Sequence, residues 1–205
     1  MRAGEPLPRE FFDRDSRRVA RDLLGCVLTL GGVSVRLTEL EAYLGSSDPG
    51  SHAFRGETRR NATMFGPPGH VYVYFTYGMH WCANLVCEPP GTGTAVLLRA
   101  GEVVGGLEEA RSRRPAAKTD RELCRGPARL ASALGLTGSD DGLDAVGALV
   151  AGARVPASRV RTGPRVGVSG AGAVQEWRWW IDGDPTVSVY RPAKPRSRKP
   201  VVRSP

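Results

Sequence analysis

Lysine is nearly missing from this 205-residue chain, although the chain is basic. Only Lys118, Lys194 and Lys199 occur, so arginine supplies almost all of the 29 basic residues behind a net charge of +8. Catalysis through a Schiff base needs an amine nucleophile. Lys118 lies in a polar run and the other two in the tail, so none is placed for that chemistry. Cysteine and histidine are sparse too. Cys26, Cys82, Cys87 and Cys124 form no CxxC pair, and His52, His70 and His80 show no zinc spacing. The expectation is four idle thiols, no disulfide framework, no metal and no cofactor. No run is long and apolar enough to span a bilayer, and the opening MRAGEPLPREFFDRDSRR lacks the apolar block of a secretory signal. A soluble, cytoplasmic protein is expected.

What is present is 40% hydrophobic residues, enough for one domain with a real core. The 26 glycines and 16 prolines favour turns and loops over a long-helix bundle. Aromatic residues make up only 7% of the chain, yet HVYVYFTYGMHWCANL (70–85) concentrates them. A core could want those rings, and so could a surface that handles nucleobases. The high arginine content suits phosphate forks and stacking, which points towards a polyanion. A merely solvated basic surface is the plainer alternative.

Residues 10–24 read as one amphipathic helix, capped at Asp15 or Ser16 and ended by Gly25. Strands are expected at 26–30, 33–44, 70–76, 80–87 and 94–100, and again in PRVGVSG, WRWWID and TVSVY. VVGGLEEARSR and GPARLASALG read as helices, the second with Pro127 in its first turn. The loop 45–69 is long enough to be functional or disordered. The tail is basic and proline-rich, without a core-forming pattern, and is expected to be disordered. Strands and helices mix without βαβ alternation, so the expected class is α+β. The expected architecture is one domain over 8–191, a curved, mostly antiparallel sheet flanked by helices with a protruding β-hairpin, followed by the tail 192–205.

In RLTELEAYL (36–44) strand alternation puts Leu37, Glu39, Glu41 and Tyr43 on one face. Two readings are open. One is a half-exposed sheet with a solvated acidic face. The other is a carboxylate in a pocket wall with an aromatic ring two positions on. A carboxylate repels phosphate, so beside a nucleic acid it makes sense only if it does chemistry. Breaking an N-glycosidic bond, through an oxocarbenium-like transition state, is such chemistry. A base inside a duplex must also be flipped out and held between rings.

ELEAYLG, SHAFRG, RRNATMFGPPGHVYVYFTYGMHWCANL, VLLRA, DRELCRGPARL and GPRVGV together resemble the alkyladenine (3-methyladenine) DNA glycosylase family in its compact bacterial form. That resemblance implies Glu41 as the general base that activates water. It implies Arg99 and the main-chain carbonyl of Val166 as groups that hold the water. Tyr43, His52 and Tyr74 would sandwich the flipped base, and Asn84 would clash with the exocyclic amine of normal guanine. Tyr77, at a hairpin tip, would fill the gap left in the duplex, with Met79 beside it in the minor groove and Arg121 as a DNA contact. The implied partner is double-stranded DNA carrying damaged purines, the implied form a monomer with no membrane attachment. The substrates would be 3-methyladenine, 7-methylguanine, hypoxanthine and ethenoadenine. SGAGAVQEWRWW follows the family pattern only loosely.

Plainer roles are expected for other residues. Tyr72 reads as core or rim, Glu39 as an exposed or paired neighbour, and His70 and His80 as loop and strand-edge residues. Trp81, Trp177, Trp179 and Trp180 read as core. Arg59 and Arg60 could touch phosphate or simply be solvated. A noncatalytic nucleic-acid-binding module accounts for the charge and the rings but leaves Glu41 without a purpose. A metal-dependent nuclease lacks a ligand cluster.

Overall fold

The computed structural model describes residues 2–193, so most of the tail 192–205 lies outside the described residues. Its central element is β2 (Val33–Leu44), whose apolar residues recur at alternate positions. β1 (Val27–Leu30), β3 (Val71–Thr76), β4 (His80–Cys87), β5 (Thr94–Gly105), β6 (Leu149–Val150), β7 (Val160–Gly163) and β8 (Arg178–Ile181) complete an eight-stranded sheet. The order is β3-β4-β5-β2-β1-β6, with β8 joining β2 and β7 joining β8, and every described pairing is antiparallel. β5 follows β2 from Ser34 to Leu44. On the other side of β2, β1 pairs with residues 33–36 and β8 takes over at 39–41. The class is α+β, as expected.

Helices cover one face. α1 (Arg9–Phe12), α2 (Ser16–Asp22), α3 (Leu107–Arg113) and α4 (Pro127–Ala133) bring Phe12, Val19, Ala110 and Leu130 into the main core with Val35, Leu40, Val96 and Leu98 of the sheet. The single helix expected over 10–24 is two. Asp13 leaves the helical region, and the Asp15 carboxylate accepts the Arg17 N–H to cap α2. A side chain that satisfies those donors competes with a continuous helix at that point. α4 begins at Pro127 as expected.

The other face is covered by the long loop. It is ordered, with short 3₁₀ turns at Gly45–Ser47 and Ala62–Phe65, and it forms a second, smaller core of Ala53, Met64, Tyr72, Val86 and Ala95. The gap between loop and sheet holds the candidate site.

Several expected elements differ. VVG, expected to open a helix, is the end of β5, and α3 starts only after Gly106 with its left-handed φ of +70°. PRVGVSG and TVSVY are not strands. Their main-chain groups serve buried side chains instead of a ladder: Val166 N–H goes to Glu41, Pro164 O to Arg178, and Ser188 N–H to Glu39. β6 and β7 were not expected; runs of two and four residues are too short to show a period. All four cysteines are buried free thiols. No helix among the described residues is long and apolar enough to cross a membrane.

Candidate active site

The carboxylates of β2 are aimed by two bulges. Pairing with β5 runs Leu37↔Gly101, Glu39↔Ala100, Leu40↔Leu98, so Thr38 is an extra residue in β2 and Arg99 an extra residue in β5. The first bulge corrects the expected face. Leu37 joins Leu40 and Ala42 in the helix-side core, while Glu39, Glu41 and Tyr43 face the loop side. Gly101 permits this close approach, because a Cβ there would collide with the Val35 side chain and the Arg36 carbonyl. The solvated acidic face is excluded: Glu39 and Glu41 are both 0% exposed. The bulged Arg99 reaches both of them, Nε lying 2.9 Å from Glu39 Oε1 and Nη1 3.4 Å from Glu41 Oε1.

Glu41 is held on both oxygens. Val166 donates its main-chain N–H to Oε1 at 2.7 Å, and the Tyr43 hydroxyl donates to Oε2 at 3.0 Å. Burial, then the neighbouring Glu41 charge, pushes the Tyr43 phenol well above its ordinary range, so it remains a neutral donor. Although buried, Arg99 is held above its ordinary range by the Glu41 and Glu39 charges and stays a cation. Tyr43, Arg99 and Val166 also line a cavity of about 570 Å³ between loop and sheet. Glu41 is therefore a buried carboxylate gripped by three groups that face that space.

Rings dominate the cavity. His52, Tyr72, Tyr74 and Asn84 line it with Tyr43. His52 and Tyr74 meet edge to face, with centroids 4.6 Å apart, too close for a base between them. They form one continuous aromatic surface, and Tyr43 lines the same cavity. Tyr72 is buried in the second core, as a core or rim residue should be, and stacks on Tyr74 at 5.6 Å. Its phenol is pushed to about 12, chiefly by burial. His52 is held below the ordinary imidazole range by burial and then by the Arg60 charge, so it is neutral at neutral pH. The Asn84 amide is nearly buried and donates to the Tyr72 carbonyl at 3.2 Å.

β3 and β4 form the hairpin at the edge of the sheet. Its tip, Tyr77-Gly78-Met79, separates the paired Thr76 and His80. Tyr77 and Gly78 both have positive φ, +52° and +68°. For a bulky residue that conformation costs about 1–2 kcal/mol. The ring gains nothing from burial, since Tyr77 is 84% exposed and Met79 67%. Strain held at an exposed ring makes Tyr77 a candidate functional position. Arg121 lies on the exposed turn Asp120–Glu122, away from the cavity lining.

Some plainer expectations need correcting. Phe75 is exposed and leans on Trp81 at 4.7 Å. Trp179 is core and Trp81 and Trp177 pack partly against it, but Trp180 instead carries the Arg178 guanidinium on its face at 4.2 Å. Arg60 donates to the Phe75 carbonyl beside the cavity, so it is more than a solvated loop residue.

Two buried networks lie behind the cavity; the first takes up the paired alternative for Glu39, and the second was not expected. Glu39 accepts from Arg99, Arg178 and the Ser188 N–H. Asp48 grips Arg165 through both oxygens at 2.5 and 2.7 Å, and Arg165 lies 4.5 Å from the centre of the Tyr43 ring. Since Asp48 also accepts the Leu44 and Gly50 N–H groups, the pair fastens the loop that carries His52 to the segment that carries Val166. The one hint in the sequence is Arg165, which stands beside Val166 in GPRVGV.

A family model described as methylpurine-DNA glycosylase (MPG) matches residues 10–185. A Streptomyces avermitilis protein, provisionally named a 3-methyladenine DNA glycosylase, is 58% identical over 204 residues, covering 95% of this chain and 96% of its own. A Burkholderia lata protein with the same provisional name is 50% identical, with 92% and 97% covered. A third, from Leifsonia xyli, is 52% identical, with 89% and 92% covered.

Proposed function

The chain belongs to the methylpurine-DNA glycosylase family and is a DNA glycosylase, a hydrolase of N-glycosidic bonds; from that premise we propose that it flips alkylated or deaminated purines out of duplex DNA and hydrolyses their bond to the sugar with a Glu41-activated water. The observation that carries this reading is the buried Glu41 carboxylate, held by three groups that line an aromatic cavity. Water attacks C1′ as the C1′–N bond breaks. Its proton passes to the carboxylate, and the bonding electrons leave with the base. The negative charge also stabilises the oxocarbenium-like sugar. Arg99 and the Val166 carbonyl hold the water. The product is an abasic site.

Tyr43 on one side, and His52 with Tyr74 on the other, hold the flipped base. A 3- or 7-alkylated purine is cationic, so each desolvated ring can add about 1–2 kcal/mol of preference for it. Neutral His52 adds no repulsion. The same positive charge makes the damaged base a better leaving group. Asn84 faces the exocyclic amine of guanine and disfavours it. No lysine lines the cavity among the described residues, which supports water over an amine nucleophile and a monofunctional reaction. The enzyme acts as a monomer.

The test is single-turnover base release from duplexes carrying 3-methyladenine, 7-methylguanine, hypoxanthine or 1,N6-ethenoadenine, with excess chelator. Release without metal supports the reading and ranks the lesions. Binding to every lesion without release from any would overturn it and leave a stacking surface.

Tyr77 acts as the wedge that replaces the flipped nucleotide, with Met79 in the minor groove and Arg121 on the backbone. Tyr77→Ser should weaken affinity for an abasic-site analogue at least tenfold and barely change affinity for undamaged duplex. Equal loss on both duplexes, or on neither, would remove the wedge role.

A further inference from the structure

Tyr43 lines the base cavity and also covers a buried cation. Arg165 is buried and lies outside the cavity lining. Its guanidinium carbon stands 4.5 Å from the centre of the Tyr43 ring and 5.0 Å from that of Trp177. Its terminal amino groups donate to Asp48, to the Ala42 carbonyl at 2.9 Å and to the Gly172 carbonyl at 3.3 Å. Gly50 packs so closely on the guanidinium that a Cβ there would lie 2.7 Å from Nη2. The charge is thus fixed in place and kept from water, where electrostatic interactions are strongest.

A cation on a ring draws on the same quadrupole that a cationic ligand needs. The Tyr43 ring has two faces, and Arg165 occupies one of them. A purine stacked on the other face, across a van der Waals gap of about 3.5–4 Å, has its charge roughly 8 Å from the guanidinium. At that range two like charges in a protein interior repel enough to shift an equilibrium about tenfold. A neutral purine meets no such repulsion. Asp48 offsets part of the Arg165 charge, but it binds the terminal amino groups, whereas the ring meets the central carbon. Burial, then the Glu41 charge, raises the Tyr43 phenol, and the Arg165 charge pulls the other way, so the ring senses this cation.

We propose that Arg165, acting through Tyr43, sets the lesion preference of the cavity by disfavouring cationic purines relative to neutral ones, and that Asp48 limits the effect. The effect presupposes the base-flipping reading. Arg165 is a positioning residue in this role: it touches no base, and its charge tunes the ring that does. The pull on a cationic base then comes chiefly from Tyr74, not from Tyr43.

Two variants isolate the charge. Asp48→Asn leaves the guanidinium uncompensated, and Asp48→Asn/Arg165→Gln removes it. Both carry the same change in the loop, so they differ at position 165 alone. The probes are duplexes with 7-methylguanine, a cation, or 1,N6-ethenoadenine, a neutral base, on a 2′-fluoro sugar. The fluorine disfavours the oxocarbenium-like transition state and keeps the bond intact. Each affinity is referred to that for undamaged duplex. The ratio of 7-methylguanine to ethenoadenine affinity should fall about threefold below wild type in Asp48→Asn and rise above wild type in the double variant, the two variants differing about tenfold. A loss of structure alone would move both lesions together and leave the ratio unchanged. Both affinities come from one preparation, so a partly folded variant still gives a valid ratio. Variants whose ratios agree within about twofold, or differ in the opposite sense, would overturn the proposal. So would a double variant with the wild-type ratio. A wild type that binds neither lesion better than undamaged duplex would overturn it as well, because no base then reaches Tyr43. Binding is read without bond cleavage, so the two readings fail separately. The expected ratios, found beside natural-sugar substrates that are never cleaved, would sink the hydrolytic mechanism and leave the role of Arg165 standing.

Discussion

Glu41→Gln should bind lesion-containing duplex nearly as well as wild type and release base about a hundred to ten thousand times more slowly. The change keeps shape and volume and removes the charge. Oε1 accepts from Val166 N–H and faces Arg99, so the glutamine carbonyl belongs on that side. Its amide then faces the Tyr43 hydroxyl, which can rotate from donor to acceptor. The pocket therefore survives, and its aromatic lining is untouched. On the proposed mechanism, what is lost is the acceptor for the water proton and the negative charge opposite the developing oxocarbenium ion. Single-turnover release measured beside the dissociation constant separates these effects. Turnover near wild type would remove Glu41 from the reaction. Loss of binding and release together would mean that the carboxylate shapes the pocket instead of acting in it.

The parts of this site that were legible in sequence are those with local causes. The limits of β2 follow from its alternation, the Asp15 cap from a short acceptor before a helix, and the hairpin from Tyr77-Gly78 between two β-rich runs. The cluster of tyrosines marked the cavity for the same reason. What was hidden belongs to pairs of segments. The bulges at Thr38 and Arg99 exist only in the register between β2 and β5, and they decide that Leu37 leaves the face of Glu39 and Glu41. Asp48 and Arg165 stand 117 positions apart, and neither has a sequence neighbour that predicts the other. PRVGV does carry a strand pattern. It fails to be a strand because Glu41 and Arg178 claim its main chain, and those claims come from tertiary structure.

Glu39 has the most to lose from such a tertiary arrangement. Its Oε1 accepts from two guanidinium groups, Arg99 at 2.9 Å and Arg178 at 3.1 Å, and its Oε2 accepts the Ser188 N–H at 2.7 Å. A glutamine here cannot satisfy all three donors, because its amide must point a donor at one side. Removing one partner from a buried ionic network costs about 3–5 kcal/mol, since the remaining charges stay desolvated. At about 2–4 °C per kcal/mol for a chain of this size, Glu39→Gln should lower Tm by on the order of 10 °C. The pH dependence carries a separate signature. Burial alone would raise the Glu39 carboxyl, but the Arg99 charge and the Ser188 hydrogen bond outweigh it and hold the group below the ordinary glutamate range. Its contribution to stability is therefore complete above the unfolded value, near 4.3, and is lost as pH falls through the lower folded value. Tm measured from pH 7 to pH 3 should thus fall steeply at the acid end for wild type and less steeply for Glu39→Gln, the two curves converging at low pH. Parallel curves would assign the loss to packing. A Tm within about 1 °C of wild type at pH 7 would mean that Arg99 and Arg178 are held by Glu41, stacking and main-chain carbonyls without Glu39.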